Sequence, residues 1–104
     1  MTSDVKLTIV TLTFQGIDPS ALASTLAKYV VVSRMADGCR NIDLCASVTE
    51  PGTYLVIEKW ESPAAQRAHF DSDEMVELAH SCGGILAGPP RIELWDGDSA
   101  HDLR

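Results

Sequence analysis

Trp60 and His69 lie in the stretch Glu-Lys-Trp-Glu-Ser-Pro-Ala-Ala-Gln-Arg-Ala-His-Phe, residues 58–70, where the side chains best suited to chemistry gather. The residues before Trp60 read as a strand. Ser62-Pro63 reads as the start of a helix, because serine caps a helix N-terminus and proline suits its first turn. A flat aromatic surface and an imidazole are thereby held near one another by two short elements. Imidazole alone titrates near neutrality unperturbed, which makes His69 the candidate general base or proton shuttle. Trp60 is the candidate wall for a flat aromatic ligand. Each residue also has a plainer reading: His69 packed between helix and sheet and bonded to a backbone carbonyl, Trp60 as core or interface packing. Tyr54, on the same strand face as Trp60, offers a hydroxyl donor. Phe70 and Met75 are candidate apolar lining, with Met75 and Leu78 otherwise filling core. His80 is a second candidate ligand-binding imidazole, or else a partly solvated helix residue.

The elements that must position these side chains follow from periodicity. Residues 5–14, rich in β-branched and aromatic types, predict a first strand. Asp18-Pro19 predicts a helix start, and Leu22, Leu26, Tyr29, Val30 and Ser33 fall on one face of a helix reaching about Met35. Its Val30-Val31-Val32 run is poor helix material, so burial must hold the last turn. Asp37-Gly38 ends it. Residues 40–48 alternate as a second strand, with Ile42, Leu44, Ala46 and Val48 in phase. A Pro51-Gly52 turn leads into a third strand over residues 54–61, making an antiparallel hairpin. On that strand Tyr54, Val56, Glu58 and Trp60 share one face. A helical region over residues 62–82 should break at Asp71-Ser72-Asp73, with Ser72 capping the second piece and Met75, Leu78, Ala79 and Cys82 as its apolar stripe. A last strand covers residues 91–95, and residues 97–104, which include His101, read as a polar tail.

Strand, helix, strand, strand, helix, strand is the order of a split βαβ, ferredoxin-like α+β domain with both helices on one face of a four-stranded antiparallel sheet. The first strand carries apolar residues on both faces, Leu7 and Ile9 on one, Val10, Leu12 and Phe14 on the other. A sheet with one wet face should alternate cleanly. The second face is therefore expected to be covered by the same face of a second copy, giving a homodimer.

All 104 residues read as a single domain. A net charge of −7 with no basic run argues against nucleic acid and anionic membrane as partners. No stretch has the apolar length of a membrane span, and the first residues lack a positive region followed by an apolar run, so no signal peptide is expected. Cys39, Cys45 and Cys82, odd in number and without metal-ligand spacing, suit reduced thiols in the cytoplasm. Cys39, after Asp37-Gly38, is the expected exposed one.

With Trp-Glu-Ser at 60–62, Ala-His-Phe at 68–70 and Ser-Asp-Glu-Met at 72–75 in place, the chain resembles the antibiotic biosynthesis monooxygenase (ABM) superfamily over residues 5–96, and its quinol monooxygenase branch most of all. The resemblance implies a dimeric α+β barrel of two sheets packed back to back. It also implies oxygenation of a phenolic or quinol aromatic substrate by O2 with no metal, flavin or other cofactor. The family's helix-borne histidine falls on His69 and its strand-end tryptophan on Trp60. Where quinol-oxidising relatives carry a Pro-His pair, this chain has Asp73-Glu74.

Three alternatives stay open. Haem-degrading relatives ligate iron near the place of His80, but carry a tryptophan where this chain has Phe70 and an asparagine on the first strand where it has Leu7, Ile9 and Thr11. Haem is a cofactor only under that reading. A small-carbonyl isomerase would use His69 as a shuttle. A non-catalytic dimer would only bind a small ligand.

Overall fold

The computed structural model describes residues 6–98. Seven elements follow in order: β1 (Lys6–Gln15), α1 (Pro19–Ser33), β2 (Cys39–Ala46), β3 (Thr53–Trp60), α2 (Pro63–Phe70), α3 (Asp73–Ser81) and β4 (Arg91–Asp98). The four strands form one antiparallel sheet in the order β2-β3-β1-β4, the ferredoxin-like α+β arrangement that the periodicity predicts.

The helix starts are set locally. Asp18 accepts a hydrogen bond from the Ala21 amide at 3.1 Å with Pro19 behind it, and Ser62 does the same for Ala65 at 3.1 Å ahead of Pro63. Ser72 departs from expectation. It stands at the N-cap of α3, yet its hydroxyl makes no cap bond and donates to the His69 carbonyl. It thus ties the end of α2 rather than the start of α3.

Leu22, Leu26, Tyr29, Val30 and Ser33 form the buried face of α1, as the period requires. Val31 and Val32 of the valine run are exposed, while Val30 and Ser33 are buried. Burial on one side therefore holds that turn. The helix ends two residues short of Met35, and the Arg34 guanidinium donates to the Ile42 carbonyl at 2.7 and 3.0 Å, fastening that end to β2. Gly38 then takes a positive φ of 80°, and a Cβ there would stand 2.5 Å from Ala65 of α2. Only glycine fits both constraints.

On the helix side of the sheet, Val10, Leu12, Phe14, Ile42, Val56 and Trp60 form the core with α1. The helices bear on β2 and β3, so β4, an edge strand, keeps Ile92 and Leu94 largely open on its helix side. β4 also runs to Asp98 rather than stopping at Trp95, which places Gly97 and Asp98 in the strand instead of a tail. Gly97 pairs with Leu7, and a Cβ at Gly97 would lie 2.4 Å from the Ile9 side chain, so the glycine makes room rather than ending the strand. His101 lies outside the described residues. No helix among the described residues is long and apolar enough to cross a membrane.

Among the three cysteines, which are unpaired, the exposed one is Cys45, not Cys39. Cys45 pairs with Leu55 on the face of the sheet away from the helices, whereas Cys39 pairs with Trp60 beside the core. Burial, and then the charge of Glu58, push the Cys39 thiol pKa up, so its thiolate is disfavoured.

Candidate active site

Across the middle of the sheet, Ile42, Glu58, Val10 and Leu94 occupy one register row on β2, β3, β1 and β4. Glu58 is the only polar member and is 2% exposed. An unpaired carboxylate in such a row is costly to bury, so its partners decide why it is tolerated. Trp60 Nε1 donates to Glu58 Oε1 at 3.1 Å, and the Tyr29 hydroxyl donates to Oε2 in a short hydrogen bond. No lysine or arginine forms an ion pair with Glu58 among the described residues.

Tyr29 reaches the carboxylate because it lies in phase with Leu22 and Leu26 on the buried face of α1. Its hydroxyl oxygen also stands 2.9 Å from His69 Nε2 and 3.2 Å from Met75 Sδ. The His69 ring stacks on Trp60, with centroids 4.6 Å apart and an interplanar angle of 29°. Four elements therefore converge on one buried chain of contacts, Trp60–Glu58–Tyr29–His69, with Met75 of α3 against its hydroxyl. His69 Nδ1 is buried without a partner among the described residues.

The electrostatics follow from the burial. Desolvation, then the charge and hydrogen bond of Glu58, drive the Tyr29 pKa far above the phenolic value, so the hydroxyl stays neutral. Desolvation lowers the His69 pKa, opposed by the negative charges of Glu58 and Glu74. The imidazole is thus neutral at neutral pH, the form that can accept a proton.

Next to this network lies a cleft of about 560 Å³ between α3 and the β1–β4 side of the sheet, walled by Phe14, Phe70, Met75, Leu78, Leu86 and Ile92. Its walls are apolar, and its size suits a small aromatic molecule. A smaller groove of about 290 Å³ between α1 and α3 is rimmed by Lys28, Asp73, Glu74 and Glu77, with Tyr29 and Leu78 at its base. Met75 joins the cleft to the network, lining the one and touching the hydroxyl of the other.

The residues singled out in the sequence divide between these places. Phe70 and Met75 line the cleft. His69 and Trp60 sit together in the core, 5% and 0% exposed, and the ring of His69 meets a tyrosine hydroxyl rather than a backbone carbonyl. Tyr54 stands at the opposite end of β3, paired with Phe14 while Trp60 pairs with Thr8, and its hydroxyl donates to the Pro19 carbonyl at 3.3 Å. It takes no part in either region. His80 is exposed near the end of α3 and lines neither the cleft nor the groove. Among the described residues, no three His, Cys, Asp or Glu side chains gather to hold a metal ion. Two network members, Glu58 and Tyr29, were not among the sequence candidates. Each carried a signal: a carboxylate in phase with a strand's buried face, and a tyrosine in phase with a helix's leucines.

The sequence model of the family described as antibiotic biosynthesis monooxygenase matches residues 9–80. Among solved structures, Rv0793 from Mycobacterium tuberculosis is 26% identical, with 90% of this chain and 98% of that one aligned at a TM-score of 0.79. A candidate antibiotic biosynthesis monooxygenase from Caulobacter crescentus is 24% identical, with 92% of each chain aligned at 0.77. SO0527 from Shewanella oneidensis is 20% identical, with 96% of this chain and 100% of that one aligned at 0.82. No curated protein matches the sequence.

Proposed function

The chain belongs to the antibiotic biosynthesis monooxygenase family, and on that premise we propose that it oxidises a phenolic or quinol aromatic substrate with O2, without metal or flavin. The observation that carries the reading is the junction at Met75. This side chain lines an apolar cleft and touches the Tyr29 hydroxyl, which is itself 2.9 Å from the imidazole of His69.

Cofactor-free oxygenation needs an electron-rich substrate, a base to ionise it and a site that keeps water out. Burial keeps His69 neutral and able to accept the substrate's proton. Phe70, Leu86 and Ile92 hold the flat ring by apolar contact. Met75, unbranched and flexible, turns to let the ionisable oxygen approach the His69 ring. The substrate anion gives one electron to O2, and the aryloxyl radical and superoxide recombine at a ring carbon that bears hydrogen. The His69 imidazolium returns its proton to the peroxide so formed, and the hydroperoxide loses water and leaves a quinone carbonyl, so one oxygen atom enters the product and one leaves as water.

The unit we propose is a homodimer joined through the sheet face opposite the helices. Leu7, Ile9, Leu55, Ile57 and Trp95 share that face by register, and Trp95 is half exposed on it. The cytoplasm is the compartment that three unpaired cysteines suit. A second reading, ligand binding without turnover, draws on one observation: His69 is nearly sealed from solvent, so a ligand could fill the cleft without meeting it.

Oxygen uptake with a reduced naphthoquinol, on metal-stripped and flavin-free protein, separates the two. The oxygenase reading expects uptake above the autoxidation control and a loss of ~10²-fold or more in His69→Ala. Binding of the quinol with uptake no faster than the control would leave the binding reading in its place.

A further inference from the structure

The Tyr29 hydroxyl has one hydrogen and three neighbours that can accept it: Glu58 Oε2, His69 Nε2 and Met75 Sδ. A thioether is a weak acceptor, and hydrogen bonds to an ionised carboxylate are about twice as strong as neutral ones. Glu58 also has the greatest need. It is buried, forms no ion pair with a lysine or arginine among the described residues, and has Trp60 Nε1 as its other donor. The hydroxyl hydrogen therefore points to Glu58, and the Tyr29 oxygen turns lone pairs toward the imidazole. A bare ring nitrogen 2.9 Å from that oxygen would set lone pair against lone pair. Nε2 must carry a hydrogen and donate it. The lone pair of the neutral ring then falls on Nδ1, the buried atom with no partner among the described residues.

We propose that Glu58 and Tyr29 are positioning residues for His69, fixing its neutral form as the Nε2–H tautomer and making Nδ1 the nitrogen that takes up a proton. When a substrate O–H breaks, its hydrogen goes to Nδ1 and its electron pair stays on the substrate oxygen. The imidazolium so formed keeps donating from Nε2–H to Tyr29, and Tyr29 keeps donating to Glu58. No bond in the chain has to reverse, and the new positive charge is balanced by Glu58 across a single hydroxyl. The charged and titratable groups around the ring are Tyr29 of α1, Glu58 of β3 and Glu74 of α3, and both carboxylates favour the protonated ring while burial opposes it. The proposal rests on His69 acting as the base of the proposed reaction, but the tautomer can be read with no substrate present.

The test is a pH titration of protein with ¹⁵N-labelled histidine, followed by the ring nitrogen and carbon-bound proton signals in wild type, Tyr29→Phe and Glu58→Gln. Wild-type His69 should show the Nε2–H pattern when neutral. Tyr29→Phe should populate both tautomers, and Glu58→Gln should lower the pH at which the ring titrates, because a negative charge that favours the imidazolium is gone. An Nδ1–H tautomer in wild type overturns the proposal, since Tyr29 would then be donating to the ring. Because the decisive reading is on wild type, poor folding of a variant does not rescue it. An Nε2–H ring in a protein that oxygenates nothing would leave the positioning roles standing and remove the oxygenase reading. An Nδ1–H ring in an active oxygenase would do the reverse.

Discussion

Two neighbouring regions of this small domain invert the usual distribution of polar and apolar side chains. Beneath α1 and α2, a carboxylate, a phenol and an imidazole are buried with almost no exposure. Alongside α3, large apolar side chains of the cleft stand open to solvent: Phe70 at 51%, Val76 at 59% and Ile92 at 38%. Buried polar groups and exposed apolar clusters are the informative departures from ordinary packing. Here they meet at Met75. A fold needing only stability could put a leucine at Glu58 and a serine at Phe70, so the two departures together support the proposed site.

Changes matched across the two regions should separate their roles. The largest effect belongs to the buried side. Trp60→Ala removes the ring that stacks on His69 and donates to Glu58, and is expected to lower the unfolding free energy by about 3–5 kcal/mol, read from a urea or guanidinium melt. A loss under about 1 kcal/mol would mean that the network adds little to the core.

Acid should act on the same region with a definite sign. Burial lowers the folded-state pKa of His69 below its ordinary 6.5, so on acidification the unfolded chain binds that proton first. The stability that His69 contributes is therefore full above about pH 6.5, and falls as pH drops through 6.5 toward the folded-state pKa. Unfolding free energy should therefore fall more steeply below that pH in the wild type than in His69→Gln, which keeps every other titrating group. An equal slope in both proteins would contradict it.

The open side should respond in the opposite manner. Phe70→Ala is expected to change stability by less than about 1 kcal/mol while weakening the affinity for a naphthoquinone by about tenfold, the worth of one aromatic contact. If stability falls and binding does not, the cleft is packing surface.

Periodicity made the architecture legible. Alternation in β3 and the three-to-four spacing of Leu22, Leu26, Tyr29 and Ser33 assign buried faces without further help, and the Pro51-Gly52 turn fixes the hairpin. The same two patterns put Glu58 and Tyr29 on facing surfaces. What they could not give is the contact between them. That contact joins a helix residue to a strand residue far along the chain, and depends on how α1 lies across the sheet. His69 was legible as an unusual residue, but its partner was not, for the same reason. Tyr54 and His80 stand apart from the network and the cleft, because sharing a face or an element says little about distance. Tyr54 is six residues along an extended strand from Trp60, roughly 20 Å, and the break at Asp71-Ser72 turns α3 so that Leu78 faces inward and His80 outward. The length of β4 was hidden by Gly97, which sequence alone reads as a stop and packing reveals as clearance for Ile9.

That the open cleft and the buried network form one site is the central claim, and it can be tested most directly by titrating the protein with an oxidised naphthoquinone while following the Met75 methyl and the His69 ring by NMR. If they are one site, both signals move along the same saturation curve with the same Kd. A Met75 methyl that moves while the His69 ring stays still would separate the two regions and return His69, Tyr29 and Glu58 to the core.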